Sequence, residues 1–236
     1  MTFLAALVIG QQLGKLIEYK IGNETFEGYG AKAAGAKEDS PVVYVIQDWD
    51  GVNEHEKQVV EKLAKAGYSA FAIDIYGKDN RPTDTAGNQA QTKKYYADPN
   101  LYMARITEGM KVFPTVGKKF AIGYCFGGAG VLEFARRNLG ADGVVAFHGG
   151  LKPLAQEKVE KVNADVLVLN GADDPSSPPA VRDALEEEMK VAASFKQINY
   201  PGAVHAFTVK AAGPRYNEQA DKMSWVEMMA FLRSHS

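Results

Sequence analysis

One cysteine in 236 residues, Cys125, excludes an intramolecular disulfide and a cysteine-based zinc site. It fits a reducing compartment. Neither sign of charge is in excess: 27 Lys and Arg stand against 29 Asp and Glu, for a formal net charge of −2. The two signs are interspersed, whereas a polyanion binder gathers its basic residues on one face, so nucleic acid is not an expected partner. Long apolar runs are missing as well. The run Phe3 to Gly10 is far too short to span a bilayer, nothing else is a candidate, and no membrane is expected. That run has no basic leader and no small-x-small cleavage site before Gln11-Gln12. Residues 1–14 read as an extra terminal helix or strand, or a mis-called start, with a degenerate or truncated export signal as the alternative. The expected location is therefore cytoplasmic, or outside the cell under that alternative. The four histidines are scattered without His-x-x-x-His spacing, so neither a metal nor an organic cofactor is expected.

What is present suits one globular domain over residues 1–236, with a monomer the expected state. The chain is 46% hydrophobic, enough for a sizeable core. Lys15 to Ala31 reads as two short strands about a turn at Ile21-Gly-Asn-Glu24, and Ala31 to Ser40 as a surface connection. Apolar runs and helical segments then alternate. Strands are predicted at 41–46, 68–75, 119–123, 143–147, 165–169 and 195–200. Helices are predicted at 54–66, 91–112, 128–137, 181–191 and 218–233, and 76–89 reads as a long loop. Such alternation implies an α/β fold whose mainly parallel central sheet carries helices on both faces. Ligands of such sheets bind beyond the carboxyl ends of the strands.

Ile122-Gly-Tyr-Cys-Phe-Gly-Gly128 follows one of those strands and opens a helix. It matches Gly-x-nucleophile-x-Gly, the turn of an α/β-hydrolase, with Cys125 at the nucleophile position. Glycines two positions either side are needed because side chains there would collide across the sharp turn. The helix that follows directs a partial positive charge at the sulfur, which favours a thiolate, and the base either keeps the sulfur in that form or takes its proton during attack. A nucleophile needs a base and the base an orienting acid, in the chain order nucleophile, acid, histidine. Asp174, in Gly171-Ala-Asp-Asp-Pro-Ser-Ser-Pro178, has the acid-loop spacing, while the adjacent Asp173 suits a turn. His205 follows the last strand and comes after Asp174, so it is the predicted base. His148 lies on the same rim but precedes Asp174. His55 and His235 are expected to be solvated.

Gly-Tyr-Cys-Phe-Gly-Gly, the Asp-Asp-Pro loop and Pro201-Gly-Ala-Val-His-Ala-Phe207 together resemble the dienelactone hydrolase family, from about Lys15 to the C-terminus. The resemblance implies a Cys–Asp–His triad and hydrolysis of a small ester or lactone. It also implies a catalytic acid in Gln47-Asp-Trp-Asp-Gly-Val-Asn53, where Asp48 stands in place of the usual glutamate. Trp49 and Phe126 would supply the backbone N–H groups of the oxyanion hole. Family members hold a substrate carboxylate with arginines. Here Lys78 and Arg81 stand near the first such position and Val209 with Lys210 at the second, and lysine lacks the bidentate fork. Lys78 and Arg81 are weak candidates for drawing an anionic substrate. The rival readings are an idle binding protein on a hydrolase fold, and a hydrolase of thioester or peptide-like carbonyls.

Overall fold

The computed structural model describes residues 13–155 and 158–236, so the reading of the first fourteen residues falls almost wholly outside it. Two strands, β1 (Lys15–Ile21) and β2 (Glu24–Ala31), form the expected hairpin, with Gly22 at positive φ in the turn. Then come β3 (Val42–Ile46), α1 (Glu54–Lys65), β4 (Ser69–Ile73), α2 (Thr85–Ala97), α3 (Pro99–Val112), β5 (Lys119–Tyr124) and α4 (Phe126–Arg136). The chain continues through β6 (Gly143–Phe147), β7 (Val162–Gly171), α5 (Pro179–Glu188), β8 (Ala192–Tyr200) and α6 (Glu218–His235). One sheet holds all eight strands in the order β1-β2-β4-β3-β5-β6-β7-β8, antiparallel at the β1 and β2 pairings and parallel from β4 onward.

The central strands are apolar without interruption because both faces are covered. Every residue of β3, β4 and β6 is buried. Successive side chains point to opposite faces, so Val42, Tyr44 and Ile46 of β3 feed one core and Val43 and Val45 the other. The first core holds Tyr102, Ile106, Val131 and Phe134 from α3 and α4; the second holds Val59, Val60, Met228 and Leu232 from α1 and α6.

One predicted element divides in two. The helix expected over 91–112 is α2 and α3, broken at Asp98–Pro99. Proline has no N–H to continue the ladder, and Asp98 restarts the helix by accepting from the Leu101 N–H at 3.0 Å. The preceding loop is also shorter than expected, since Asp84 caps α2 by accepting from the Gly87 N–H at 2.7 Å.

Candidate active site

Parallel strands ending on one rim bring together Gln47 and Asp48 after β3, Cys125 after β5, His148 after β6, Asp174 after β7 and His205 after β8. Cys125 has φ 49° and ψ −106°, a left-handed conformation that side chains rarely adopt. The turn leaves no room beside it. A Cβ on Gly123 would run into the Gly127 carbonyl, and one on Gly127 into the Ile46 carbonyl. Both expected glycines are therefore required by backbone lying against backbone.

The three residues read as a triad lie in contact. His205 Nε2 is 3.0 Å from Cys125 Sγ, and His205 Nδ1 is 3.0 Å from Asp174 Oδ2. Asp174 Oδ1 accepts from both the backbone N–H and the hydroxyl of Ser176, at 2.8 and 2.7 Å. Burial alone would raise the Asp174 carboxyl, but the hydrogen bonds from His205 and Ser176 outweigh it and hold the group down at about 2. Asp174 is thus held as a carboxylate against the His205 imidazole. Asp173 lies beside it with its N–H donated to the Ala203 carbonyl at 3.0 Å.

Of the two expected forms of Cys125, the surroundings favour the thiol that yields its proton during attack. Burial, the Asp48 charge and a hydrogen bond to Asp48 push the Cys125 thiol well above its ordinary range, and the Phe126 N–H offsets only part of this. Burial and then a neighbouring carboxylate both disfavour the charged sulfur.

Asp48 lies in reach of that sulfur, with only 7% of its surface exposed. Its own carboxyl is raised to about 6, by burial first and by Asp50, against the hydrogen bond from Trp49. The Trp49 N–H, one of the two expected oxyanion donors, is bonded to Asp48 Oδ1 at 2.6 Å. The other, on Phe126, faces the sulfur. Underneath this loop lies Glu56, which the sequence reading passed over. Its Oε1 accepts from the Asp48 N–H and its Oε2 from the Asn53 N–H, each at 3.0 Å. Burial drives the Glu56 carboxyl up to about 8. The signal was available: Asn53-x-x-Glu56 opening an apolar helix is a capping box, and both of its bonds are present.

The remaining candidates lie elsewhere. Lys78 pairs with Glu18 and Glu27, and Arg81 with Glu27 and Asp74. Their charges are matched there, and neither side chain lines the cavity above Cys125. His148 is fully buried with its Nε2 2.8 Å from Thr208 Oγ1, and its ring meets that of His205 edge-on at 5.4 Å. His55 is not solvated as expected: it is half-buried edge-on against Tyr124, and burial lowers its pKa to about 4. His235 is half-buried against Phe231 rather than free in the tail.

A cavity of about 830 Å³ opens over Cys125 and His205 and runs between α1 and α6 under residues 206–215. Among the described residues, no group of three His, Cys, Asp or Glu is arranged to hold a metal ion, and no helix is long and apolar enough to cross a membrane.

Comparison with known proteins agrees with this architecture. The model of the dienelactone hydrolase family matches residues 26–236. The chain is 29% identical to the crystal structure of the dienelactone hydrolase-like promiscuous phosphotriesterase P91 from metagenomic libraries, with a TM-score of 0.86 over 94% of this chain and 98% of that one. It is 26% identical to the structure called m3DLH, with a TM-score of 0.84 and the same coverage. Over 227 residues it is 26% identical to the Escherichia coli K12 protein named "Putative carboxymethylenebutenolidase", covering 90% of this chain and 83% of that one. The chain belongs to the dienelactone hydrolase family and is a carboxylic ester or lactone hydrolase.

Proposed function

We propose that this hydrolase cleaves its ester or lactone through a covalent acyl–sulfur intermediate on Cys125, with His205 as general base and acid and Asp174 as its orienting carboxylate. The observation that carries this reading is the unbroken line from sulfur to imidazole to carboxylate, 3.0 Å at each step. It also counts against an idle binding protein, which has no use for a strained cysteine held on a base.

The thiol is the resting form, so its proton passes to His205 Nε2 as Sγ attacks the carbonyl carbon. The S–C bond forms and the carbonyl electrons move to oxygen. Two donors are available for that oxygen once Trp49 releases Asp48: the N–H groups of Trp49 and Phe126. Collapse breaks the C–O bond, and His205 gives its proton to the departing alkoxide. Water then attacks the thioester as His205 takes a proton, the C–S bond breaks, and the acid leaves with the thiol restored. Thiolate departs from a tetrahedral intermediate more readily than an ordinary alkoxide. Activated esters and enol lactones therefore react in preference to amides.

A panel of aryl esters, lactones, thioesters and anilides, run on wild type and on Cys125→Ala and Cys125→Ser, tests the reading. Ester and lactone turnover should fall to near background in Cys125→Ala with an unchanged far-ultraviolet spectrum. Turnover that survives in Cys125→Ala would overturn it, and preference for thioesters or anilides would favour the rival substrate class.

A further inference from the structure

Two hollows flank Trp49, and only one of them reaches the base. The larger is the 830 Å³ cavity, whose wall includes Cys125, His205, Val59, Lys62 and Trp225. Its lining on α1 runs from Glu54 to Lys62, eight steps of helix, or about 12 Å at the usual rise. This is a groove for an extended group. At the Lys62 end it is lined by Trp225 of α6, whose ring has the Lys62 ammonium over it at 5.3 Å. The smaller hollow, about 530 Å³, lies on the other side of Trp49 and follows one face of α2 through Gln89, Thr92, Lys93, Tyr96 and Ala97. Tyr96 stacks on Phe126, the residue after Cys125, with ring centroids 5.6 Å apart. Trp49 borders both hollows, and its backbone is held where the Tyr76 hydroxyl donates to its carbonyl at 2.9 Å.

From this division we infer that the substrate is an acyclic ester with two substantial arms, its alcohol part in the groove between α1 and α6 and its acyl part in the hollow along α2. The inference rests on the triad reading above. In a simple lactone the leaving oxygen is tethered to the acyl carbon by a small ring, so the two parts cannot diverge on either side of an indole. The assignment of arms follows from proton transfer. The departing oxygen must receive its proton from His205 Nε2, so the alcohol leaves on the side lined by His205 and Thr208. The α2 hollow touches neither residue, yet it is lined by Trp49, whose N–H is one of the two proposed oxyanion donors. A cavity of this size takes a two-ring group rather than a methyl or ethyl one. Trp225 is the specificity-determining residue at its Lys62 end.

Biphenyl-4-yl acetate and phenyl acetate share an acyl group, so the ratio of their kcat/KM values isolates the groove. Wild type should favour the biphenyl ester by about tenfold or more, the worth of burying much of one added ring. Trp225→Ala should bring the ratio close to one, and Trp225→Phe should leave it in between, a second reading should the alanine variant not fold. Ala97→Trp, at an exposed position, fills the other hollow. It should cut the preference for phenyl 4-phenylbutanoate over phenyl acetate about tenfold, the same ring burial withdrawn, while the biphenyl ratio stays high. A biphenyl ratio near one in wild type, a ratio indifferent to both Trp225 variants, or an Ala97→Trp effect on the alcohol instead of the acyl arm would each overturn the inference. Simple lactones turned over faster than every two-armed ester would overturn it too. No turnover of any ester, or turnover independent of Cys125, would instead sink the triad reading on which it rests.

Discussion

On the His205 side of the Cys125 sulfur, the polar groups that serve it have partners suited to their charge. Asp174 receives three hydrogen bonds, from His205 and twice from Ser176, and its carboxyl is held down at about 2. On the Asp48 side the carboxyls are buried near one another, with Asp48 raised to about 6 and Glu56 to about 8. There the Trp49 N–H that the oxyanion would need is already bonded to Asp48. One half of the site is ready for the reaction, and the other must first let go of a bond. The difference is chemical in origin. A carboxylate that faces an imidazole and a hydroxyl is stabilised as an anion, whereas carboxylates sharing one buried loop compete to stay neutral. Under the proposed mechanism the base is pre-organised, and the oxyanion donors would be completed only when a carbonyl oxygen displaces the Asp48 carboxylate.

The largest effects should fall on the finished half. Asp174→Asn removes the charge that supports the imidazolium and leaves the tautomer undetermined, so kcat should drop about 10³–10⁴-fold, as when the orienting carboxylate of a serine triad is lost. Asp48→Asn keeps an oxygen for the Trp49 N–H and loses only the charge beside the sulfur, so its loss should be smaller, on the order of 10–100-fold. Steady-state kinetics on one activated ester decide the matter. Equal losses in the two variants would mean that both halves are catalytic to the same degree and the asymmetry is only structural.

A smaller effect separates the halves without catalysis. After burial, the Asp48 charge is what keeps the Cys125 thiol protonated, and Asp174 is a lesser influence in the same direction. Alkylation by iodoacetamide at pH 7 requires thiolate. Asp48→Asn should therefore be labelled several-fold faster than wild type, while Ala substituted at Asp174 should change labelling less, because it also frees His205. Slower labelling of Asp48→Asn would show that Asp48 promotes thiolate in the resting site.

The halves were also unequally legible in the sequence. Chain order, the acid-loop spacing and the two glycines of the elbow point to Cys125, Asp174 and His205, because each follows from local geometry at a strand end, and the structure brings the three within 3.0 Å of one another in turn. The strands were legible for the same reason: a sheet covered on both faces needs uninterrupted apolar runs such as Val42–Ile46. What escaped depends on distances between segments far apart in the chain. Nothing local reveals that Arg81 meets Asp74 and Glu27, or that His55 turns onto Tyr124 instead of water. Sequence alone leaves the choice between thiolate and thiol open, because the α4 dipole is visible there and the burial of Cys125 beside Asp48 is not. Pro99 stands in plain view inside the helix expected over 91–112, and Asn53-x-x-Glu56 is a capping box at the start of the helix expected over 54–66.

The smallest expected effect is on stability, and there the halves should respond to pH in opposite directions. Asp174 has a folded pKa of about 2 against an ordinary 3.8. Its contribution is fully present above the ordinary value and is lost as pH falls through the window between the two. Asp48 and Glu56 are raised from 3.8 to about 6 and from 4.5 to about 8. Between those limits the native state holds protons that the unfolded chain has released, so raising the pH through that range weakens the fold. Urea midpoints followed by circular dichroism from pH 2.5 to 8 can tell the two apart. Asp174→Asn should flatten the acid limb below about pH 4 and leave the slope above it alone. Asp48→Asn should reduce the downward slope between about pH 4 and 6, and somewhat beyond, because the Asp48 charge is one of the causes that raise Glu56. If Asp48→Asn left that slope untouched while Asp174→Asn changed it, the strained carboxyls would not be the ones beneath Trp49, and the two halves would have to exchange roles.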